Sequence, residues 1–199
     1  IADLTDDSRK VGPGSLFVAV QGERVDGHQF LDPVVAAGAA AVVVQRSGDV
    51  GAISCVRVQD SRAALGILGS RFYGDPSSSL RMIGVTGTNG KTTTTYVVKT
   101  MLEAARRRVG LIGTVAYLVG KESIPASHTT PGALELQKLF ARMREARLDT
   151  VVMEVSSHAL ALDRTAGSEF DVAVFTNLTQ DHLDFHLDME RYFQAKLKL

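Results

Sequence analysis

The chain is predicted to be α/β: a parallel, doubly wound sheet preceded by a smaller α/β unit. Three observations predict this. Short apolar runs alternate with helical patterns along most of the sequence. A strand, a glycine turn, Lys-Thr and a helix start succeed one another at 82–95. Three polar motifs each come directly after an apolar run, where an open parallel sheet collects its ligands.

In the first 75 or so residues, Leu16-Phe17-Val18-Ala19-Val20 reads as a strand after the Gly12-Pro13-Gly14 turn. Phe30 to Gly38 reads as a helix ending on glycine. Ala40 to Val44 and Ile53 to Val58 read as two further strands, with Cys55 buried in the second. Asp60 caps a helix running toward Tyr73, with Ala64, Leu65, Leu68 and Phe72 at helical spacing. Gly74-Asp75-Pro76-Ser77-Ser78-Ser79 carries turn residues only and marks a boundary between domains at 1–76 and 80–199. Beyond it, Met82 to Val85 is a strand, and the helix after the glycine turn ends near Arg106-Arg107-Arg108, where cations suit the dipole. Leu111-Ile112 is a strand. Gly132 to Ala146 is an amphipathic helix carrying Leu134, Leu136, Leu139, Phe140 and Met143. Thr150 to Val155 and Val172 to Thr176 are apolar enough for strands buried on both faces.

Composition excludes several classes. Of 199 residues, 22 are Lys or Arg and 22 are Asp or Glu, so no basic footprint for nucleic acid appears. No apolar run approaches the ~18 residues of a membrane span. A single cysteine allows no internal disulfide, which fits a reducing compartment. A cytoplasmic location is expected. The chain opens on Ile1 and stops at Leu199 inside a helical pattern, so a fragment of a longer polypeptide is expected.

The chemistry concentrates at Thr86-Gly87-Thr88-Asn89-Gly90-Lys91-Thr92-Thr93. Glycines let backbone N–H groups turn inward around a polyphosphate, and the helix start adds partial positive charge. Lys91 would reach the β/γ-phosphates and Thr92 would carry Mg²⁺, so the expected ligand is a nucleoside triphosphate, ATP in the first instance. Val85 stands where the first glycine of G-x-x-x-x-G-K-[ST] would fall. Glu154-Val155-Ser156-Ser157-His158 and Thr176-Asn177-Leu178-Thr179-Gln180-Asp181-His182 come after the other two strands, bringing Lys91, Thr92, Glu154 and His182 toward one crevice. A carboxylate in an apolar strand is costly unless paired or metal-bound, which favours Glu154 as a Mg²⁺ ligand over a solvent-facing strand end. His182 and His186 stand four apart. They leave open a zinc site or an ordinary polar loop. Lys196, from spacing alone, reads as a solvated helix lysine.

Taken together these residues resemble the Mur ligase family of bacterial cell-wall enzymes. The resemblance runs through Asp7-Ser8-Arg9, Pro13 to Ala19, Gly22, Asp26-Gly27-His28, Thr86 to Thr94, Thr129-Thr130-Pro131, Met153 to Leu160 with Arg164, Phe175 to His182, and Tyr192 to Lys196. It implies a UDP-sugar-binding N-terminal domain, a central ATP-binding domain, and a C-terminal domain that is absent here. It implies an ATP-dependent amide ligase that adds the third amino acid to UDP-N-acetylmuramoyl-L-alanyl-D-glutamate through an acyl phosphate. By the same resemblance, Gly87, Thr88, Asn89, Gly90, Lys91, Thr92 and Thr93 would hold ATP. Ser8 and the Glu23-Arg24-Val25 turn would meet the UDP portion. Thr129, Thr130, Ser156 and Arg164 would bind the muramoyl peptide. Thr92, Glu154, His182 and Lys196 would hold Mg²⁺, the last as a CO₂-derived carbamate, and Lys91, Glu154, His182 and Lys196 would be the catalytic set. Leu162 stands where some relatives carry a polar substrate contact. The implied partners are small molecules, with no nucleic acid or membrane, and the implied state is a monomer. Other Mur-type ligases (D-Ala-D-Ala-adding or folylpolyglutamate-forming) and a non-ligating nucleotide switch are the competing readings. The third amino acid, meso-diaminopimelate or L-lysine, is left open.

Overall fold

A computed structural model describes residues 1–22, 25–46, 51 and 53–199. Two sheets form. The first is wholly parallel, with strands β1 (Asp3–Thr5), β2 (Ser15–Val18), β3 (Ala41–Val44) and β4 (Ser54–Arg57) paired in chain order. Helix α1 (Leu31–Ala36) packs Leu31 and Val34 over Phe17, Val42 and Val44 on one face. Helix α2 (Ser61–Phe72) covers the other, with Leu65 against Leu4, Val18 and Val43. Asp60 caps α2 by accepting the N–H groups of Arg62 and Ala63. The helix expected over Phe30 to Gly38 resolves into a 3₁₀ turn at Gly27–Phe30 and then α1. Gly38 supplies the left-handed turn out of it, at φ 90°.

The second sheet has six strands: β5 (Arg81–Thr86), β6 (Val109–Ile112), β7 (Ala116–Val119), β8 (Glu122–Pro125), β9 (Thr150–Glu154) and β10 (Val172–Phe175). Their order is β10-β5-β9-β6-β7-β8. The first four are parallel, and β7 and β8 are added antiparallel. Helix α3 (Lys91–Ala104) lies over Ile83, Val85, Val109 and Val152. Helix α4 (Ala133–Glu145) lies over Met82, Val151 and Met153 on the opposite face. Alternate residues of β5 and β9 therefore feed two cores, as a doubly wound sheet requires. Short helices α5 (Ser157–Ala161) and α6 (Leu183–His186), then α7 (Met189–Leu197), close one end. Among the described residues no helix is long and apolar enough to cross a membrane.

Two expectations are corrected. Cys55 is exposed, and so is every residue of β4, because β4 is the edge of its sheet. Val172–Phe175 is not buried on both faces either. As edge strand β10 it leaves Val172 and Phe175 exposed, whereas β9 in mid-sheet is buried throughout. Segment 74–79 also has more structure than a linker. Asp75 takes φ 49° ahead of a 3₁₀ turn at Pro76–Ser79, Pro76 and Ser77 are buried, and Arg144 donates to the carbonyls of Tyr73 and Gly74. Strand β1 and the β7–β8 hairpin are additions to the elements expected from the sequence. The hairpin turns on two residues, opened by Gly120 at φ 62°.

Helix α2 also packs on α4, joining the two sheets. Leu65 and Ala133 share one apolar cluster, and Gly69 lies against Leu134 and Gln137. At Gly66 a Cβ would overlap the carbonyl oxygen of Ala166, backbone that cannot swing aside. Gly66→Ala is therefore expected to lower stability by about 1–3 kcal/mol through overpacking. Urea unfolding of the variant checks this.

Candidate active site

The parallel register sets the site. Val85 pairs with Glu154, Thr86 with Phe175, and Ile112 with Met153, so the carboxyl ends of β5, β9, β10 and β6 open on one side. β5 runs on to Thr86, with Val85 fully buried, so the turn begins at Gly87 and is shorter than the general pattern. Gly87 takes φ 136°, and a side chain there would strike the Thr176 hydroxyl. Gly90 takes φ 84° at the N-cap of α3, provides no side-chain cap, and has open space where a Cβ would be.

The segment after β10 braces this turn. Thr88 donates its N–H to the Asn177 carbonyl (2.9 Å) and Asn89 donates to Asn177 Oδ1 (3.0 Å). The Asn89 carbonyl accepts from Thr176 Oγ1 (2.7 Å) and Asn177 Nδ2 (3.0 Å). Helix α7 braces it from beneath: the Tyr192 hydroxyl meets Thr88 Oγ1 at 3.1 Å. The N-terminal N–H groups of α3 thus face outward with no side-chain cap, which is the condition under which a helix start binds a polyphosphate.

Two lysines converge on the turn. Lys91 Nζ donates to the carbonyls of Gly87 and Thr88, both at 2.9 Å. Lys196 Nζ donates to the same Gly87 carbonyl at 2.8 Å and lies 4.3 Å from the centre of the Tyr192 ring. Lys196 is only 2% exposed, so its spacing-based reading as a solvated lysine fails. Burial first, then the neighbouring Lys91 cation, push its ammonium down to about 8 from an ordinary 10.5. Burial also lowers Lys91, against the pull of Glu154 and Asp181.

Glu154 is 1% exposed at the end of β9. Its Oε2 accepts from Thr92 Oγ1 (2.9 Å) and Thr114 Oγ1 (3.2 Å), and its Oε1 accepts the Thr114 N–H (2.9 Å). The Thr92 hydroxyl beside a buried carboxylate is an all-oxygen set that suits Mg²⁺, at the mouth of the phosphate cradle. Sequence reasoning missed Thr114 and Gly113, although both come just after β6 at the same sheet edge and the strand-end rule reaches them. A Cβ on Gly113 would overlap Glu154 Oε1.

The remaining residues fall into two groups. Thr129 Oγ1 is 3.0 Å from Thr114 Oγ1, which ties it to the Glu154 cluster. Thr130 is buried; its hydroxyl donates to the Glu154 carbonyl (2.8 Å) and accepts the Ser156 N–H (3.0 Å), while its own carbonyl accepts from Arg164 (3.1 Å). Ser156 caps α5. Arg164 and Leu162 line a cavity of about 450 Å³ between the two sheets, with Asp6, Gly22, Arg62 and Gly132. Ser8 lies two residues beyond Asp6, in the turn Ser8–Lys10 capped by Asp7. Val25 is exposed, and Glu23 and Arg24 lie outside the described residues. Thr93 is exposed in the first turn of α3.

His182 stands apart. It takes φ 52°, lies 3.4 Å from Asp181 and stacks edge-on against His158 at 4.7 Å. Among the described residues no hydrogen bond or ion pair joins it to Thr92, Glu154 or Lys196. His186 is buried and meets Ser157 Oγ at 3.0 Å, and burial first, then the nearby histidines and Lys196, lower its affinity for a proton. Among the described residues no group of three or more His, Cys, Asp and Glu could hold a metal, so the zinc alternative finds no support.

The lowered Lys196 value fixes a pH dependence. Between pH 8 and 10.5 the unfolded chain holds a proton that the folded chain has released. Stability rises with pH wherever the unfolded state binds more protons, so this residue contributes a gain across that window. In CO₂-free buffer, wild type should gain stability relative to Lys196→Met between pH ~7.5 and ~10. Parallel urea curves at the two pH values would contradict the assignment.

Comparison with known proteins agrees with this geometry. Residues 85–199 match the Mur ligase middle domain, and residues 1–73 match the Mur ligase family, catalytic domain. The chain is 50% identical over 200 residues to UDP-N-acetylmuramoyl-L-alanyl-D-glutamate–2,6-diaminopimelate ligase of Alkaliphilus metalliredigens, covering 100% of this chain and 40% of that protein. A solved structure of a ligase of the same description superposes with a TM-score of 0.86 at 31% identity, over 98% of this chain and 40% of that one. MurF ligase from Thermotoga maritima, in complex with ADP, superposes with a TM-score of 0.61 at 26% identity, over 98% of this chain and 42% of that one. The chain therefore spans about 40% of the length of the curated relatives it matches. With both stretches matched and a phosphate cradle at the head of α3, the chain belongs to the Mur ligase family.

Proposed function

We propose that this chain forms the UDP-sugar-binding (1–76) and ATP-binding (80–199) domains of a ligase that joins 2,6-diaminopimelate to UDP-N-acetylmuramoyl-L-alanyl-D-glutamate. The observation that carries the reading is the continuous path Thr92–Glu154–Thr114–Thr129, which ties the phosphate cradle to the Thr129-Thr130 segment. The relatives' names support diaminopimelate over L-lysine as the third residue. A monomer working in the cytoplasm on small molecules fits this role.

In this reading the α3 N-terminus, Gly87 to Thr93 and Lys91 receive the triphosphate, and Lys91 leaves the loop carbonyls for the phosphate oxygens. Thr92 and Glu154 would hold one Mg²⁺; by the family resemblance His182 and a carbamate on Lys196 would hold a second, although among the described residues no hydrogen bond or ion pair joins His182 to Lys196. Bound Mg²⁺ supplies charge neutralisation between two anionic reactants. The substrate carboxylate attacks the γ-phosphorus, displacing ADP and leaving an acyl phosphate. The diaminopimelate amine then adds to that carbonyl, and phosphate departs from the tetrahedral adduct. Arg164, Ser8 and Thr129 orient the UDP-dipeptide so that its carboxylate faces the cradle. The carbamate forms when the neutral Lys196 amine adds to CO₂ and loses a proton. The depressed value of about 8 makes that neutral amine accessible near physiological pH.

Phosphate release by the complete polypeptide, with the UDP-dipeptide and each candidate amine, tests the reading. Turnover should require all three substrates and prefer diaminopimelate to L-lysine. ATP hydrolysis indifferent to the muramoyl peptide would favour a nucleotide switch. Lys91→Ala should cut turnover at least ~100-fold, the scale of losing a charge-stabilising donor. Lys196→Ala should cripple turnover while UDP-dipeptide binding, read by calorimetry, persists.

A further inference from the structure

We infer that Thr114 is a positioning residue that couples an anion bound at Thr129 to the metal-facing oxygen of Glu154. The inference rests on the ligase reading for the identity of that anion, the acidic UDP-dipeptide. Thr114 has one hydroxyl proton, and the bond to Glu154 Oε2 uses it. The 3.0 Å contact with Thr129 must then run the other way, with Thr129 donating to Thr114. The result is a directed chain of hydroxyls, Thr129 to Thr114 to Glu154. In this state Glu154 Oε2 already carries two donors, Thr92 and Thr114, and a cation must compete with both for its lone pairs.

An anion at Thr129 reverses the chain. It takes the Thr129 proton as a hydrogen bond, which leaves the Thr129 oxygen as an acceptor facing Thr114. Thr114 turns its hydroxyl about the Cβ–Oγ bond, donates to Thr129, and releases Glu154 Oε2. The carboxylate stays in place, because the Thr114 N–H still holds Oε1 and does not depend on the hydroxyl. Anion binding therefore strengthens the cation site, and by linkage the cation strengthens the anion site to the same degree. No covalent bond changes, and only hydroxyl orientations move. Thr114 is exposed and packs in no core, so it tolerates exchange.

The test uses the complete polypeptide with ADP and titrates Mn²⁺, reading free metal by electron paramagnetic resonance, with and without UDP-N-acetylmuramoyl-L-alanyl-D-glutamate. Wild type and Thr114→Ser should bind Mn²⁺ about fivefold or more tightly when the UDP-dipeptide is present. Thr114→Val keeps the backbone bond and the branched shape but lacks the relay, and its shift should fall below about twofold. The inference is overturned if Thr114→Val keeps the wild-type shift, if Thr114→Ser loses it, or if wild type shows none while calorimetry records UDP-dipeptide binding. Failure of wild type to bind the UDP-dipeptide in calorimetry would instead remove the ligase reading, and this inference with it.

Discussion

A carboxylate buried at the end of a central strand is the constraint on which the rest of the site depends. Glu154 is enclosed by β5, β6 and the start of α3, and an acidic side chain in such a position is costly without donors. Three donors from two other segments meet it: the Thr92 hydroxyl at the head of α3, and the N–H and hydroxyl of Thr114 after β6. Each donor reaches it only because the strands are parallel and in register, so that their carboxyl ends coincide. The bare Cα of Gly113 makes the room. The fold and the polar cluster are thus mutually dependent.

Around this negative centre the chain places positive charge without matching acids. Lys91 and Lys196 both rest on loop carbonyls, and neither makes an ion pair with a carboxylate among the described residues. Burial lowers the proton affinity of both, and at Lys196 the neighbouring Lys91 cation adds to it. Such an arrangement suits a pocket whose ligand is polyanionic, since the ligand completes the charge balance that the protein leaves open. Helix α7 contributes through Tyr192 and Lys196 together, one bracing Thr88 and the other Gly87, so the turn is held from below as well as from the side.

Much of this is legible in the residues, and the misses have physical causes. Strand, turn, Lys-Thr and helix at 82–95 carry local signals that need no tertiary context, and they form as expected. Glu154 stands out because a lone acid in an apolar run demands explanation. Cys55 and Val172–Phe175 mislead because apolar composition reports strand propensity and not whether the strand ends up at a sheet edge. Lys196 is opaque to spacing for a related reason: a helix lysine looks solvated until a partner loop packs over it. Thr114 and Gly113 escape notice because a lone Gly-Thr after the short run Leu111-Ile112 carries no charged or motif-like signal of its own, although it follows a recognised strand. The β7–β8 hairpin is masked by the charged pair Lys121-Glu122 at its tip, although Gly120 signals the turn.

The interlock of Gly66 with Ala166 has a consequence for how the seam can vary. Backbone there meets backbone, and the reciprocal contact at Gly167 closes on Gly66 from the other side. Neither position leaves room for a side chain, so an exchange at either one would have to push α2 away from the 163–168 turn. Two glycines with no polar group of their own thus set how closely the Arg62 and Arg164 walls of the cavity approach each other.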